Sequence, residues 1–296
     1  MRQNLAVLTI ALCLLAAGHF ILSGCSPESQ RVVDQKAVDK LKRDLSRVQK
    51  QGKLDGWDAI IAEAEKTLSD NAEFHEQKIR TMWVRAKQKE GEKVTYHDDF
   101  VARAKAAMVD AIKKFPARLD LRFGLSSACR ETGDFAGELA AFRDLCEYVK
   151  ANPSLTFMEP VDGGSLKPFD GRLVVPEKIA VAVAHYAEPG MDESLEKFYQ
   201  LATLSAEFFP HDFSAQNALG AYHQIQGDPE KALEHFKIAY EIIGEHSYLM
   251  MNLGKISVEL DKKGDAINYY ERVLQLKVPV EIKEAAQKAI DELMSP

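Results

Sequence analysis

The sequence predicts an all-α chain, an array of helix–turn–helix hairpins stacked as a solenoid. Three observations predict it. Ala, Leu, Glu and Lys dominate long stretches while β-branched alternation is scarce, a mixture that favours helix by intrinsic propensity. Apolar residues recur at helical three- and four-residue spacing in segment after segment. The tetrapeptides Asn217-Ala218-Leu219-Gly220 and Met251-Asn252-Leu253-Gly254 stand 34 residues apart, and self-similarity at a fixed period of about 20–50 residues marks repeat architectures. With 46% hydrophobic and 28% charged residues, the 296-residue chain is globular in composition rather than disordered. Its length has room for one or two ordinary domains or for one repeat array.

The first element is an address. Met1-Arg2-Gln3-Asn4 supplies a cation, Leu5 to Ala17 is apolar, and Leu22-Ser23-Gly24-Cys25 closes the segment with small residues. That layout reads as a secretory signal over residues 1–24. A membrane-spanning helix is the competing reading, but Gly18-His19 interrupts the run, and a span wants about 20 apolar residues. Leu22-Ser23-Gly24-Cys25 closely resembles the lipobox of bacterial lipoproteins. The resemblance implies cleavage before Cys25, a diacylglyceryl group on its thiol and acylation (palmitate, for example) of the new amino group. Ser26, where many inner-membrane lipoproteins carry Asp, implies delivery to the outer membrane if the source has one. One acyl chain binds a bilayer only marginally, whereas two or three together hold effectively permanently.

Cysteine usage fits an exported chain. Cys13 leaves with the signal and Cys25 is the lipidation site, which leaves Cys129 and Cys146. The helical frame puts these near opposite ends of a helix pair, too far apart for a bridge, so two buried free thiols are expected.

Residues 25–37 read as a tether and the start of the first helix. Over 38–152 the chain reads as degenerate helical repeats. Val38, Leu41, Leu45 and Val48 form one stripe, and Trp57, Ile61, Ala64 and Leu68 a second. Gly91 to Asp98 reads as a short insertion. Ala104, Met108, Ala111 and Pro116 follow as a second helix, then Leu125, Gly133-Asp134 and Phe142 as a further repeat in which Glu138 replaces a small residue. Pro153, Pro160, Gly163-Gly164, Pro168 and Gly171 give residues 153–178 loop chemistry. Residues 179–280 resume the array, clearest in 213–246 and 247–280, and residues 281–296 complete an amphipathic capping helix that begins near Pro279.

Within the two clear copies Ala232 aligns with Ala266, Phe236 with Tyr270 and Ala239 with Val273 at the same offset of 34. With the Leu-Gly pairs Leu219-Gly220 and Leu253-Gly254, this pattern resembles the tetratricopeptide-repeat (TPR) superfamily. The resemblance implies a right-handed superhelix. The glycines let helix backbones approach closely, and Phe236 and Tyr270 plug against the next repeat. Gly227-Asp228-Pro229 breaks the first hairpin, and Lys262-Lys263-Gly264-Asp265 makes the matching break in the second.

The family holds its ligands on the concave face, with side chains of each repeat's first helix. Carried over by position, one repeat supplies Ser214, Asn217, Ala221, Gln224 and Ile225. The next supplies Tyr248, Met251, Lys255, Val258 and Glu259, and a weaker one Asp120, Phe123, Ser127, Arg130 and Glu131. The candidate protein-binding residues are Asn217, Gln224, Ile225, Tyr248, Met251, Lys255, Glu259, Phe123 and Arg130. Lys255 is the one cation among the two C-terminal sets, so the Lys/Asn carboxylate clamp of some family members is not reproduced.

Other chemistries lack their residues. A formal charge of −7 repels nucleic acid, and the Lys-rich run from Lys36 to Lys53 is interleaved with acids, so it reads as a solvated helix face. His75-Glu76 begins like a zinc-protease helix, but Ile79 stands where the second His belongs. His211, His223 and His235 recur every twelve residues, yet the repeat frame puts the last two on different helices, which reads as surface or packing histidines. Gly163-Gly164-Ser165-Leu166-Lys167 lacks the final Gly of a serine nucleophile elbow. No catalytic residue, metal or cofactor is expected. The chain therefore reads as a membrane-anchored scaffold of the bacterial cell envelope, facing the periplasm or the cell surface. Its expected partners are an envelope protein or peptide and, through the lipid anchor, the membrane. The alternatives are a small-molecule- or glycan-binding lipoprotein and an accessory subunit of cell-wall enzymes.

Overall fold

Helix-forming stripes and their punctuation account for the elements of the structure, a computed structural model that describes residues 28–90, 93–160, 166–186 and 192–295. The signal segment and Cys25 lie outside the described residues. The chain divides into two units, one ending at Asp134 and one beginning at Phe135.

In the first unit, α1 (Glu28–Lys50) is followed by a 3-10 turn (Leu54–Gly56) and α2 (Trp57–Leu68). The two sequence stripes meet: Val38, Leu41 and Leu45 bury against Trp57, Ile61 and Leu68. The Trp57 indole N–H donates to the Leu45 carbonyl at 2.9 Å, which satisfies the one polar atom that this ring carries inside. Asn71 caps α3 (Ala72–Ala86) by accepting from the Phe74 N–H at 3.0 Å. The insertion expected over Gly91 to Asp98 begins earlier and pairs its arms: it is an antiparallel β-hairpin, β1 (Lys87–Glu90) with β2 (Lys93–Tyr96), Lys87 opposite Tyr96. Then come α4 (Asp98–Lys114) and α5 (Leu119–Glu131). Met108 and Ala111 of α4 bury with Ile79 of α3 and with Leu121 and Ala128 of α5.

The second unit runs α6 (Phe135–Ala151), β3 (Thr156–Pro160), β4 (Leu166–Asp170), α7 (Gly171–His185), α8 (Asp192–Phe208), α9 (Phe213–Ile225), α10 (Pro229–Ile243), α11 (Ser247–Glu259), α12 (Lys263–Gln275) and α13 (Val280–Met294). The irregular stretch expected over 153–178 is corrected here. It contains the antiparallel β3–β4 pair, and a helix already begins at Gly171, capped by the Asp170 side chain. Pro176 sits inside that helix. Proline removes one backbone bond there, but Val174, Val175, Ile179, Ala182 and Val183 are buried on the same helix, and that burial outweighs the lost bond.

Glu138, the residue in place of a small one, is fully buried on α6 and accepts a hydrogen bond from the Tyr186 hydroxyl at 2.6 Å. Cys129 and Cys146 are both free and buried, as their spacing predicts. Burial pushes the Cys146 thiol up to about 12 and raises that of Cys129 too.

The two clear repeats are two successive helix hairpins, α9–α10 and α11–α12, around one core. Two details of the expected packing change. A Cβ on Gly220 would lie 2.6 Å from the Phe236 ring of its own hairpin, and one on Gly254 would collide with Tyr270. The glycines therefore seat an aromatic ring on the helix surface within one repeat, where backbone approach was expected. In the second turn the left-handed residue is Asp261, φ 56°, which stands 34 residues after Gly227, φ 73°. Gly264 lies instead in the first turn of α12. Asp tolerates the left-handed region better than most side chains, so the turn survives the loss of its glycine.

Candidate protein-binding face

The first helices of the two clear hairpins lie side by side. The Asn252 amide donates to Asn217 Oδ1 at 3.0 Å, and the Gln224 amide donates to Glu259 Oε1 at 2.6 Å. Both bonds join residues 35 apart near opposite ends of α9 and α11, so the two helices run in the same direction in register. Each helix begins at an aromatic side chain or next to one. Phe213 opens α9 after Asp212, which caps it by accepting from the Ala215 N–H at 3.0 Å. Burial raises the Asp212 carboxyl, while backbone donors oppose that rise. The rings of Phe213 and His246 meet at 5.6 Å, and those of His246 and Tyr248 at 5.9 Å.

The structure sorts the predicted residues into two kinds. Asn217, Gln224 and Glu259 tie α9 to α11 and so fix the face. Tyr248 (64% exposed), Ile225 (55%) and Val258 (42%) present apolar surface outward. Met251 is half-buried and packs against the core cluster, and Lys255 is exposed. Ser214 and Ala221 are half-buried.

Phe123 and Arg130 belong to α5 in the other unit and are half-buried there. Their neighbours are committed elsewhere. Arg118 Nε donates to Asp120 at 2.6 Å, and Glu131 accepts from the Tyr96 hydroxyl at 2.7 Å and from Lys87 at 3.3 Å. Burial and the Glu131 carboxylate both raise the Tyr96 phenol above its ordinary range.

Sequence reasoning missed an aromatic cluster behind the face. Tyr222 of α9 stacks on Tyr199 of α8, with ring centroids 4.4 Å apart. His223 and His235, expected on different helices as surface or packing histidines, lie on α9 and α10 and stack with parallel planes at 5.3 Å, and His235 Nδ1 lies 2.9 Å from Gln216 Oε1. Burial first, and then His223, lower the His235 imidazole. Hairpin closure at Gly227 brings the pair together, so the signal was their placement on either side of that turn. The twelve-residue spacing carried no information. His211 stays exposed in the turn before α9. Among the described residues no group of three or more His, Cys, Asp or Glu is placed to hold a metal ion, and no helix is long and apolar enough to cross a membrane.

Residues 99–154, spanning α4 to α6, match the family model described as "Tetratricopeptide repeat". That stretch carries the tetratricopeptide-repeat pattern. The match falls on the stretch whose repeat pattern is degenerate, and the hairpins of 213–280 have the same helix–turn–helix build. No curated protein sequence matches the chain. Among solved structures, the chain is similar to an assembly chaperone of RpL4 (Acl4), at 12% identity over 86% of this chain and 97% of that one, TM-score 0.42. It is also similar to YrrB, titled a TPR protein with an unusual peptide-binding site, at 12% identity over 77% and 97%, TM-score 0.42. A third is MamA from Desulfovibrio magneticus RS-1, at 14% identity over 70% and 94%, TM-score 0.38. A tetratricopeptide array is a protein-interaction fold, since stacked hairpins expose side chains of successive first helices along one surface.

Proposed function

We propose that this tetratricopeptide chain is a membrane-anchored interaction scaffold of the bacterial cell envelope, binding a partner protein or peptide on the face formed by α9 and α11. The observation that carries the reading is the outward apolar set Tyr248, Ile225 and Val258 beside half-buried Met251, on helices locked in register by Asn217–Asn252 and Gln224–Glu259. Large apolar side chains held outward on a rigid helical surface suit an amphipathic helix or extended peptide. Lys255 and Glu259 at the margin suit a polar rim. The lipobox-like Leu22-Ser23-Gly24-Cys25 supports the anchor.

Crosslinking in the native envelope, with a photoreactive residue at Lys255, is expected to capture a discrete partner. Tyr248→Ala and Ile225→Ala should each weaken capture by about 10-fold or more, as loss of a central aromatic or aliphatic anchor does. Capture that survives both changes overturns the assigned face. For the anchor, Cys25→Ala is expected to move the protein from the membrane to a soluble fraction, and unchanged membrane retention would refute lipidation.

A further inference from the structure

The N-terminal unit holds a cavity of about 200 Å³ between α3, α4 and α5, with Ile79, Val84, Met108 and Leu121 as apolar walls. Glu76 lines it, only 7% exposed, and its Oε2 has no hydrogen-bond partner. A buried carboxyl oxygen without a partner is a standing cost that needs an explanation.

The charges around it leave Glu76 in surplus. Lys42 is paired with Glu73. Arg118 grips Asp120 through two nitrogens and reaches Glu76 only at 4.0 Å. Arg80 lines the cavity from an exposed position. Trp83 lines it too, its ring tilted against Tyr96 at 5.6 Å.

We propose that this cavity binds a lysine-type group, an apolar stem ending in a primary ammonium. The volume is below the ~300–1,000 Å³ of sites for drug-sized ligands, so it suits one side chain or a small amine. The stem meets the apolar walls. The ammonium carries three donors and no acceptor, which matches a carboxylate with an unfilled lone pair. The Trp83 ring offers the cation an aromatic face. A ligand carrying only acceptors would add like charge or lone pairs beside the Glu76 and Asp120 carboxylates, both on the lining. Burial above all holds the Glu76 carboxyl up at about 8, so the empty site is mostly protonated at neutral pH and must give up that proton to pair with a cation. The site shares no residue with the face on α9 and α11, and its test is independent of that reading.

The test is titration calorimetry of the full chain with pentylamine, 1-pentanol and pentanoate, in two buffers of different ionisation enthalpy. At about pH 7, pentylamine is expected to bind with release of close to one proton, a release that vanishes by about pH 9.5, where Glu76 is already ionised. Pentanol and pentanoate should bind at least about tenfold more weakly, and Glu76→Gln should cost pentylamine about tenfold or more while leaving pentanol unchanged. A Gly-Gly-Lys-Gly-Gly peptide binding more tightly than pentylamine assigns the group to a polypeptide partner, and the reverse order assigns it to a free amine. Preference for pentanol or pentanoate, pentylamine binding without proton release, or no binding of any probe overturns the proposal. Asp120→Asn provides a second variant, expected to weaken pentylamine binding and to spare pentanol. An equal loss for both probes also counts against a cation site.

Discussion

Phe236→Ala is expected to cost about 3–5 kcal/mol and, in the same chain, to remove most of the penalty of Gly220→Ala. Phe236 is fully buried, so truncating it forfeits the ring's transfer free energy and leaves a cavity that the α9–α10 hairpin closes only in part. Gly220→Ala alone puts a methyl 2.6 Å from two carbons of that ring. The ring belongs to the core of the second unit and cannot swing out, so the clash should cost about 1–3 kcal/mol. With Phe236 gone, the methyl enters the vacated space. The two changes are thus far from additive, with a coupling of about 1–3 kcal/mol, as expected for residues in direct contact. Urea unfolding followed by circular dichroism measures each corner of the cycle. The two tryptophans, Trp57 and Trp83, lie in the N-terminal unit, so their fluorescence separates that unit's unfolding from the rest. Strict additivity would mean that glycine and ring do not share one space. Gly254 and Tyr270 should behave alike, because the same contact recurs 34 residues later.

That recurrence explains why these hairpins were legible in the sequence. A glycine under an aromatic ring is a contact inside one hairpin, so it leaves a fixed interval that self-comparison can find. The stripes of α1 and α2 were legible for a related reason, since Val38, Leu41 and Leu45 bury one helical face on the next. The β-hairpins at Lys87–Tyr96 and Thr156–Asp170 were not. Their strands are four or five residues long, and glycine and proline announce a turn without announcing that its arms pair. Helix α7 was hidden by Pro176, whose local preference lost to the buried valines around it.

The candidate face was legible by position but not by role. Asn217, Gln224 and Glu259 sit where the family places ligand contacts, yet here they bond α9 to α11, a fact set by tertiary register. Glu76 left no local trace at all. A helix carboxylate is normally exposed, and within the sequence it read only as part of a zinc motif that fails at Ile79.

Glu76 also gives the second large prediction. Burial is the main cause that lifts its carboxyl from the ordinary 4.5 to about 8. Arg118 opposes the rise, Asp120 and Glu73 add to it, and Lys42 opposes it more weakly. Below about pH 4.5 the group is protonated in folded and unfolded chains alike and has no effect on stability. Between about pH 4.5 and 8 the folded chain keeps a proton that the unfolded chain has lost, so stability falls as pH rises, by up to about 1.4 kcal/mol per pH unit. Above about pH 8 both states have released it and the penalty is constant. Glu76→Gln keeps the shape and cannot ionise. Its stability relative to the natural chain should differ by under about 1 kcal/mol at about pH 5 and should climb by a further ~4 kcal/mol in its favour by about pH 9. Urea unfolding read by tryptophan fluorescence at the two pH values measures this, and a difference that stays flat with pH would show Glu76 to be ordinarily solvated. A residue whose neutral isostere folds more stably near neutral pH is poorly explained by packing. The trade is the one expected where a binding site holds a buried carboxyl for its ligand, and pentylamine should narrow the gap by stabilising the Glu76 chain more than the Gln variant.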